Sequence, residues 1–75
     1  MSQPNPRRVA IGDRSINLTQ VLKVAGLMQS GGEAKSVIAD GLVRVNGEVE
    51  LRKRRKMAAG DRVAIEGGPT LVLET

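Results

Sequence analysis

A single α+β domain, two short helices packed on a small, mainly antiparallel sheet, is the fold class this chain predicts, and three observations predict it. Its 75 residues, 40% of them hydrophobic, suffice for one layer of helix on one sheet, because a chain of this size buries only about 60% of its unfolded surface. Two adjacent windows carry helical apolar spacing, each opened by a capping residue and closed by glycine. Short segments with alternating or continuous apolar residues flank them, separated by turn pairs. No internal repeat and no second domain are visible.

Residues 1–8 hold two prolines and little apolar matter and read as a flexible basic tail, so the domain spans residues 9–75. Val9-Ala10-Ile11 is a short strand closed by the turn pair Gly12-Asp13. Asn17 is an N-cap with Gln20 three residues on, and Leu18, Val21, Leu22 and Ala25 fall at i, i+3, i+4 and i+7. That is a short amphipathic helix ended by Gly26. Ser30 with Glu33 repeats the capping-box pattern and starts a second helix over Gly31–Ala39, with Gly41 as its C-cap.

The second helix divides into two faces. Ala34, Val37 and Ile38 form an apolar side; Gly31, Gly32, Lys35, Ser36 and Ala39 form another whose members are nearly all small. Two glycines in a first turn cost roughly 1 kcal/mol each relative to alanine. Either the helix start is frayed, or the missing side chains let a phosphate reach free amide groups at the positive end of the dipole, with Lys35 one turn in as a point charge.

A hairpin follows around Asn46-Gly47. A two-residue loop pairs Val45 with Glu48 and Val43 with Glu50, which puts valines and carboxylates on one face. A three-residue loop or bulge pairs Val45 with Val49, Arg44 with Glu50 and Val43 with Leu51, and patterning favours this second register. Arg44 then has a cross-strand partner in Glu50. Met57 is a core plug, Ala58-Ala59-Gly60-Asp61 a turn, Val63 and Ile65 lie on a strand, and Leu71-Val72-Leu73 is the last strand after the Gly67-Gly68-Pro69 break.

Arg52-Lys53-Arg54-Arg55-Lys56 is a run of five cations directly after that hairpin. Between Arg44 and Lys56, six cations against Glu48 and Glu50 give a net +4, equal to the net charge of the whole chain. The remaining residues are therefore balanced. A solvated loop is the plain alternative, but charge concentrated in this way is the footprint expected of a polyanion-binding surface.

Absences restrict the function. The chain has no Cys and no His, which removes disulfides and the usual zinc and iron ligands, and no cofactor is expected. Lacking also Tyr, it leaves acid–base work to dispersed carboxylates and lysines, so an enzyme is not expected. Without Phe, Trp or Tyr it has no stacking platform for single-stranded bases and must read backbone and shape. No apolar run approaches the about 18 residues of a membrane span, and the N-terminus lacks a signal peptide's apolar middle, so a cytoplasmic protein is expected.

Over residues 18–65 the chain resembles the RNA-binding domain first recognised in the fourth protein of the small ribosomal subunit, the αL motif. The residues that carry the likeness are Ser30-Gly31-Gly32-Glu33-Ala34-Lys35, then Ile38 to Gly47 with its Val-Arg-Val-Asn-Gly hairpin, and Ala59-Gly60-Asp61-Arg62-Val63. Within that family it resembles the small stand-alone bacterial members of the YbcJ type. The resemblance implies binding of structured RNA, ribosomal or transfer RNA, across the face made by both helices and the following loop, with Lys35 on the helix and Arg44 in the hairpin of the same surface. Gly31 and Asn17 stand where many members carry arginine, and the Arg52–Lys56 segment then supplies the charge.

The expected RNA-binding set is Gly31, Gly32, Lys35, Arg44, Arg52, Lys53, Arg54, Arg55 and Lys56, acting in a monomer without metal or small-molecule substrate. An adaptor whose basic loop docks an acidic protein or ribonucleoprotein is the second reading. Affinity for naked RNA separates the two.

Overall fold

Both helices begin and end where local hydrogen bonding makes them. In α1 (Leu18–Val24) the Asn17 side chain accepts from Gln20 N while the Gln20 side chain accepts from Asn17 N, a complete capping box. In α2 (Gly31–Ala39) Ser30 Oγ accepts from Glu33 N at 3.2 Å. Each helix closes in a Schellman motif: Gly26 N donates to Lys23 O and Leu27 N to Leu22 O, and likewise Gly41 N to Ile38 O and Leu42 N to Val37 O. The pattern needs a left-handed residue after the C-cap, which Gly41 supplies at φ 75°. The expected span of α2 is the observed one.

The structure, a computed structural model, describes residues 6–75. Its strands are β1 (Arg7–Ala10), β2 (Ile16–Asn17), β3 (Val43–Val45), β4 (Glu48–Val49), β5 (Lys56–Met57), β6 (Arg62–Ile65) and β7 (Thr70–Glu74). Five form one sheet in the order β1-β7-β6-β3-β4, antiparallel except for the β1–β7 pair, and β2 pairs with β5 separately. The start of the expected tail lies outside the described residues, but Arg7 and Arg8 do not belong to a tail: they are strand residues in register with Leu71 and Val72. No helix among the described residues is long and apolar enough to cross a membrane.

Alternation along the strands sends Val9, Val43, Val45, Val63, Leu71 and Leu73 to one face, where Leu18, Val21 and Leu22 of α1 and Ala34 and Ile38 of α2 complete a single core with Ile11, Ile16 and Met57. Burying each large aliphatic side chain contributes about 1.5–3 kcal/mol, so a core without aromatics still holds two layers. Among the described residues no element covers the other sheet face.

The hairpin register differs from the expected one. Arg44 pairs with Val49 and Val45 with Glu48 around a two-residue loop, in which Asn46 (φ 52°) and Gly47 (φ 90°) are both left-handed, the type I′ geometry that matches strand twist. Patterning failed because β4 is a sheet edge whose two residues are both exposed. With no buried face on β4, turn chemistry decides. Arg44 consequently has no cross-strand carboxylate, and Glu50 is used elsewhere.

Candidate nucleic-acid interface

Glu50 organises the basic run. Its backbone N donates to Val43 O, ending the hairpin. Its carboxylate accepts two bonds from the Arg52 guanidinium, both at 3.0 Å, and one from Arg52 N at 3.1 Å, and it pairs with Arg55 Nε at 2.9 Å. The bonds from Arg52 hold its carboxyl well below the usual range, at about 2, against the opposing push of burial, with the charges of Arg52 and Arg55 assisting. Bonding to Glu50 raises Arg52 in turn. Arg55 reaches further inward, to Asp61 Oδ2 at 3.6 Å and Met57 Sδ at 3.3 Å. Asp61 also accepts from Asn46 Nδ2 and Ala58 N, which fixes the hairpin tip and the following turn around one carboxylate.

The five cations are therefore unequal. Arg55 is half-buried and structural. Arg52 is 75% exposed yet bidentately paired. Lys53, Arg54 and Lys56 are exposed, and no ion pair is formed by them among the described residues.

The loop is bonded to the start of α1. Leu18 N donates to Arg55 O, Thr19 N to Lys53 O, and Thr19 Oγ1 to Lys53 O at 2.7 Å, while Asn17 pairs with Lys56 and Ile16 with Met57. The free amides of α1 are consumed in holding the basic run. At α2 the opposite holds: Ser30 takes Glu33 N, and Ala34 N donates to Ser30 O, but the amides of Gly31 and Gly32 find no acceptor among the described residues. A side chain added at Gly31 would meet nothing within 4 Å, and one at Gly32 only Ser30 Oγ at 3.9 Å. Internal packing does not require either glycine.

These parts meet. A shallow cleft between α1, α2 and the loop is lined by Asn17, Thr19, Gln20, Lys23, Gly31, Lys35 and Arg54. Of the expected set, Gly31, Lys35 and Arg54 share this cleft, with Lys53 and Lys56 on the adjoining loop. Lys23, exposed in the last turn of α1, was missed; its helical position one turn from Gln20 was the available signal. Arg44 is not on this surface. It lies between the inward Val43 and Val45 and is exposed on the opposite side of the sheet.

Comparison with known proteins gives the family. The chain is 46% identical over 52 residues to "Putative RNA-binding protein YbcJ" of Escherichia coli (strain K12), covering 69% of this chain and 74% of that protein. It is 44% identical over 59 residues to "Probable ribosome maturation protein RlbA" of Bacillus subtilis (strain 168), covering 79% and 83%. Its fold matches the solution structure of YbcJ from E. coli with a TM-score of 0.73 at 34% identity, over 100% of this chain and 95% of that one, a structure described as revealing an αL motif involved in RNA binding. The family model for the S4 domain matches residues 9–73, and this chain belongs to that family.

Proposed function

We propose that this chain is a monomeric, non-enzymatic, cytoplasmic RNA-binding module that holds structured RNA in the cleft between its helices and the basic loop. The observation that carries the reading is that Gly31, whose amide has no acceptor among the described residues, lines one cleft with Lys23, Lys35 and Arg54, with the likewise unpaired amide of Gly32 next along the helix. Amide donors and the helix dipole suit a phosphate, and flexible cations suit its neighbours along the backbone. The chain has no aromatic residue, so the mode of recognition is A-form shape, phosphates and 2′-hydroxyls rather than stacked bases. The relatives named for RNA binding and ribosome maturation put ribosomal RNA ahead of transfer RNA as the first target to try.

Fluorescence anisotropy with an RNA stem-and-junction, a matched single strand and duplex DNA tests this. Wild type should prefer the folded RNA. Lys53→Gln/Arg54→Gln/Lys56→Gln, which spares the Glu50 network, should weaken it at least about tenfold and flatten the log–log salt dependence by about 2 to 3. Equal, weak binding to all three nucleic acids would leave a basic adaptor for an acidic protein.

A further inference from the structure

We propose that the open face of the sheet is a second RNA-backbone surface, so that one chain holds two RNA segments, one on each side; the first of these rests on the helical-cleft reading above. Strand alternation places Arg8, Arg44 and Arg62 on this face, each beside an inward valine: Val9, Val43 or Val45, and Val63. The register brings them together. Arg8 and Arg62 both lie opposite Val72, from β1 on one side and β6 on the other, and Arg44 lies opposite Ala64, two residues along β6 from Arg62. With neighbouring strands about 4.8 Å apart, Arg8 and Arg62 stand about 10 Å apart across Val72.

All three arginines are exposed, and among the described residues none forms an ion pair or a side-chain hydrogen bond. Between them the floor is low and half-buried: Ala64, Thr70 and Val72. Pro6, Arg8, Arg62 and Val72 line a concavity there. The carboxylates that alternation brings nearest are Glu74, opposite Ala10 at the end of β7, and Glu66 just beyond β6, and neither is within ion-pair distance of the arginines.

The chemistry selects phosphate. Arginine presents a planar fork that binds phosphate oxygens bidentately, and three such forks on a flat floor fit consecutive backbone charges. The face has no aromatic on which a base could stack, as RNA-reading sheets use. It also lacks the large aromatic anchors that centre a protein interface: its strands offer only Val72 and the edge residue Val49, with the exposed Leu51 just beyond β4. Because the helices cover the other side of the same sheet, and the molecule is 23 Å across its shortest principal axis, one straight RNA segment does not reach both surfaces.

The test mixes donor-labelled and acceptor-labelled copies of one RNA stem-loop with the full chain, reading energy transfer, with native mass spectrometry for stoichiometry. Wild type should bridge two RNAs per protein. Arg8→Gln/Arg44→Gln/Arg62→Gln should bind one RNA within about twofold of the remaining site's affinity, and lose energy transfer. If the triple variant fails to fold by circular dichroism, Arg44→Glu alone, at an exposed position, serves instead. A wild type that binds one RNA only and keeps it in the sheet variant, or a sheet variant that still bridges, overturns the proposal. Labelled polyglutamate captured by wild type and not by the variant, with one RNA bound throughout, also overturns it and makes the face a protein dock. Failure of the cleft reading is seen separately, as a Gly31→Glu/Gly32→Glu variant that binds RNA at full strength.

Discussion

The two helix starts in this small domain solve the same problem in opposite ways. Every helix begins with amides that have no partner inside it. At α1 the protein fills them itself: Asn17 caps Gln20, and the carbonyls of Lys53 and Arg55 take Thr19 and Leu18. At α2 the serine cap serves Glu33 alone and two glycines leave the preceding amides uncovered. Under the proposed function, the difference separates positioning from binding. One helix start fixes the basic loop, and the other presents the donors beside which that loop is fixed.

Gly31→Glu/Gly32→Glu strikes the open end and has the largest expected effect. Open space at both positions, and the favourable place of a carboxylate in a first turn, predict a folded protein. RNA affinity should fall at least about tenfold, since the new charges occupy and repel where phosphate is to sit. The alanine pair sharpens the contrast: each change should stabilise the helix by up to about 1 kcal/mol in thermal unfolding while lowering affinity. Stability and binding rising together would show that the glycines serve nothing at this site.

Thr19→Val strikes the closed end. Losing the 2.7 Å bond from Thr19 Oγ1 to Lys53 O should cost about 1 kcal/mol, with the backbone bond from Thr19 N keeping the loop attached. Affinity should fall only about twofold to threefold, through looser placement of Lys53 and Arg54 rather than loss of a donor. A larger loss of binding than of stability would make Thr19 a direct contact, and the comparison between the two ends would fail.

The helices were legible because their signals are local. Asn17, Ser30, Gly26 and Gly41 each punctuate within a few residues, and α2 was bounded by them on both sides. Met57, the expected core plug, is buried. What escaped depends on partners distant in sequence. The parallel pairing of β1 with β7 recruits Arg7 and Arg8 into the sheet across most of the chain, and no turn signal marks such a pairing. The hairpin register departs from patterning because the edge strand β4 has no buried face to enforce it, and Glu50 goes to arginines beyond the hairpin rather than to Arg44. For Arg44 the information was present: valines on both sides facing the core send it outward. The basic run was visible as charge, but its division into tied and free cations needed the fold.

That division makes its own pH signature, the smallest effect expected. Glu50 has a folded-state pKa lowered from 4.5 to about 2, so the folded protein binds its proton less readily than the unfolded chain does. Its contribution to stability is therefore fully present above the unfolded value and is lost as pH falls from about 4.5 toward about 2. Between pH 5 and 8 the difference in melting temperature between wild type and Glu50→Gln should stay constant, then shrink on acidification. High salt should reduce it as well, because Arg52 is largely exposed and its pairing is screened. The same variant frees Arg52 and leaves Arg55 with Asp61 alone, raising the net positive charge of the loop while loosening its shape. Weaker binding to folded RNA despite the added charge would show that the loop works by its placement beside α2. Tighter binding would show that charge alone governs, and that the ordering of the loop by Glu50 and by the amides of α1 serves stability only.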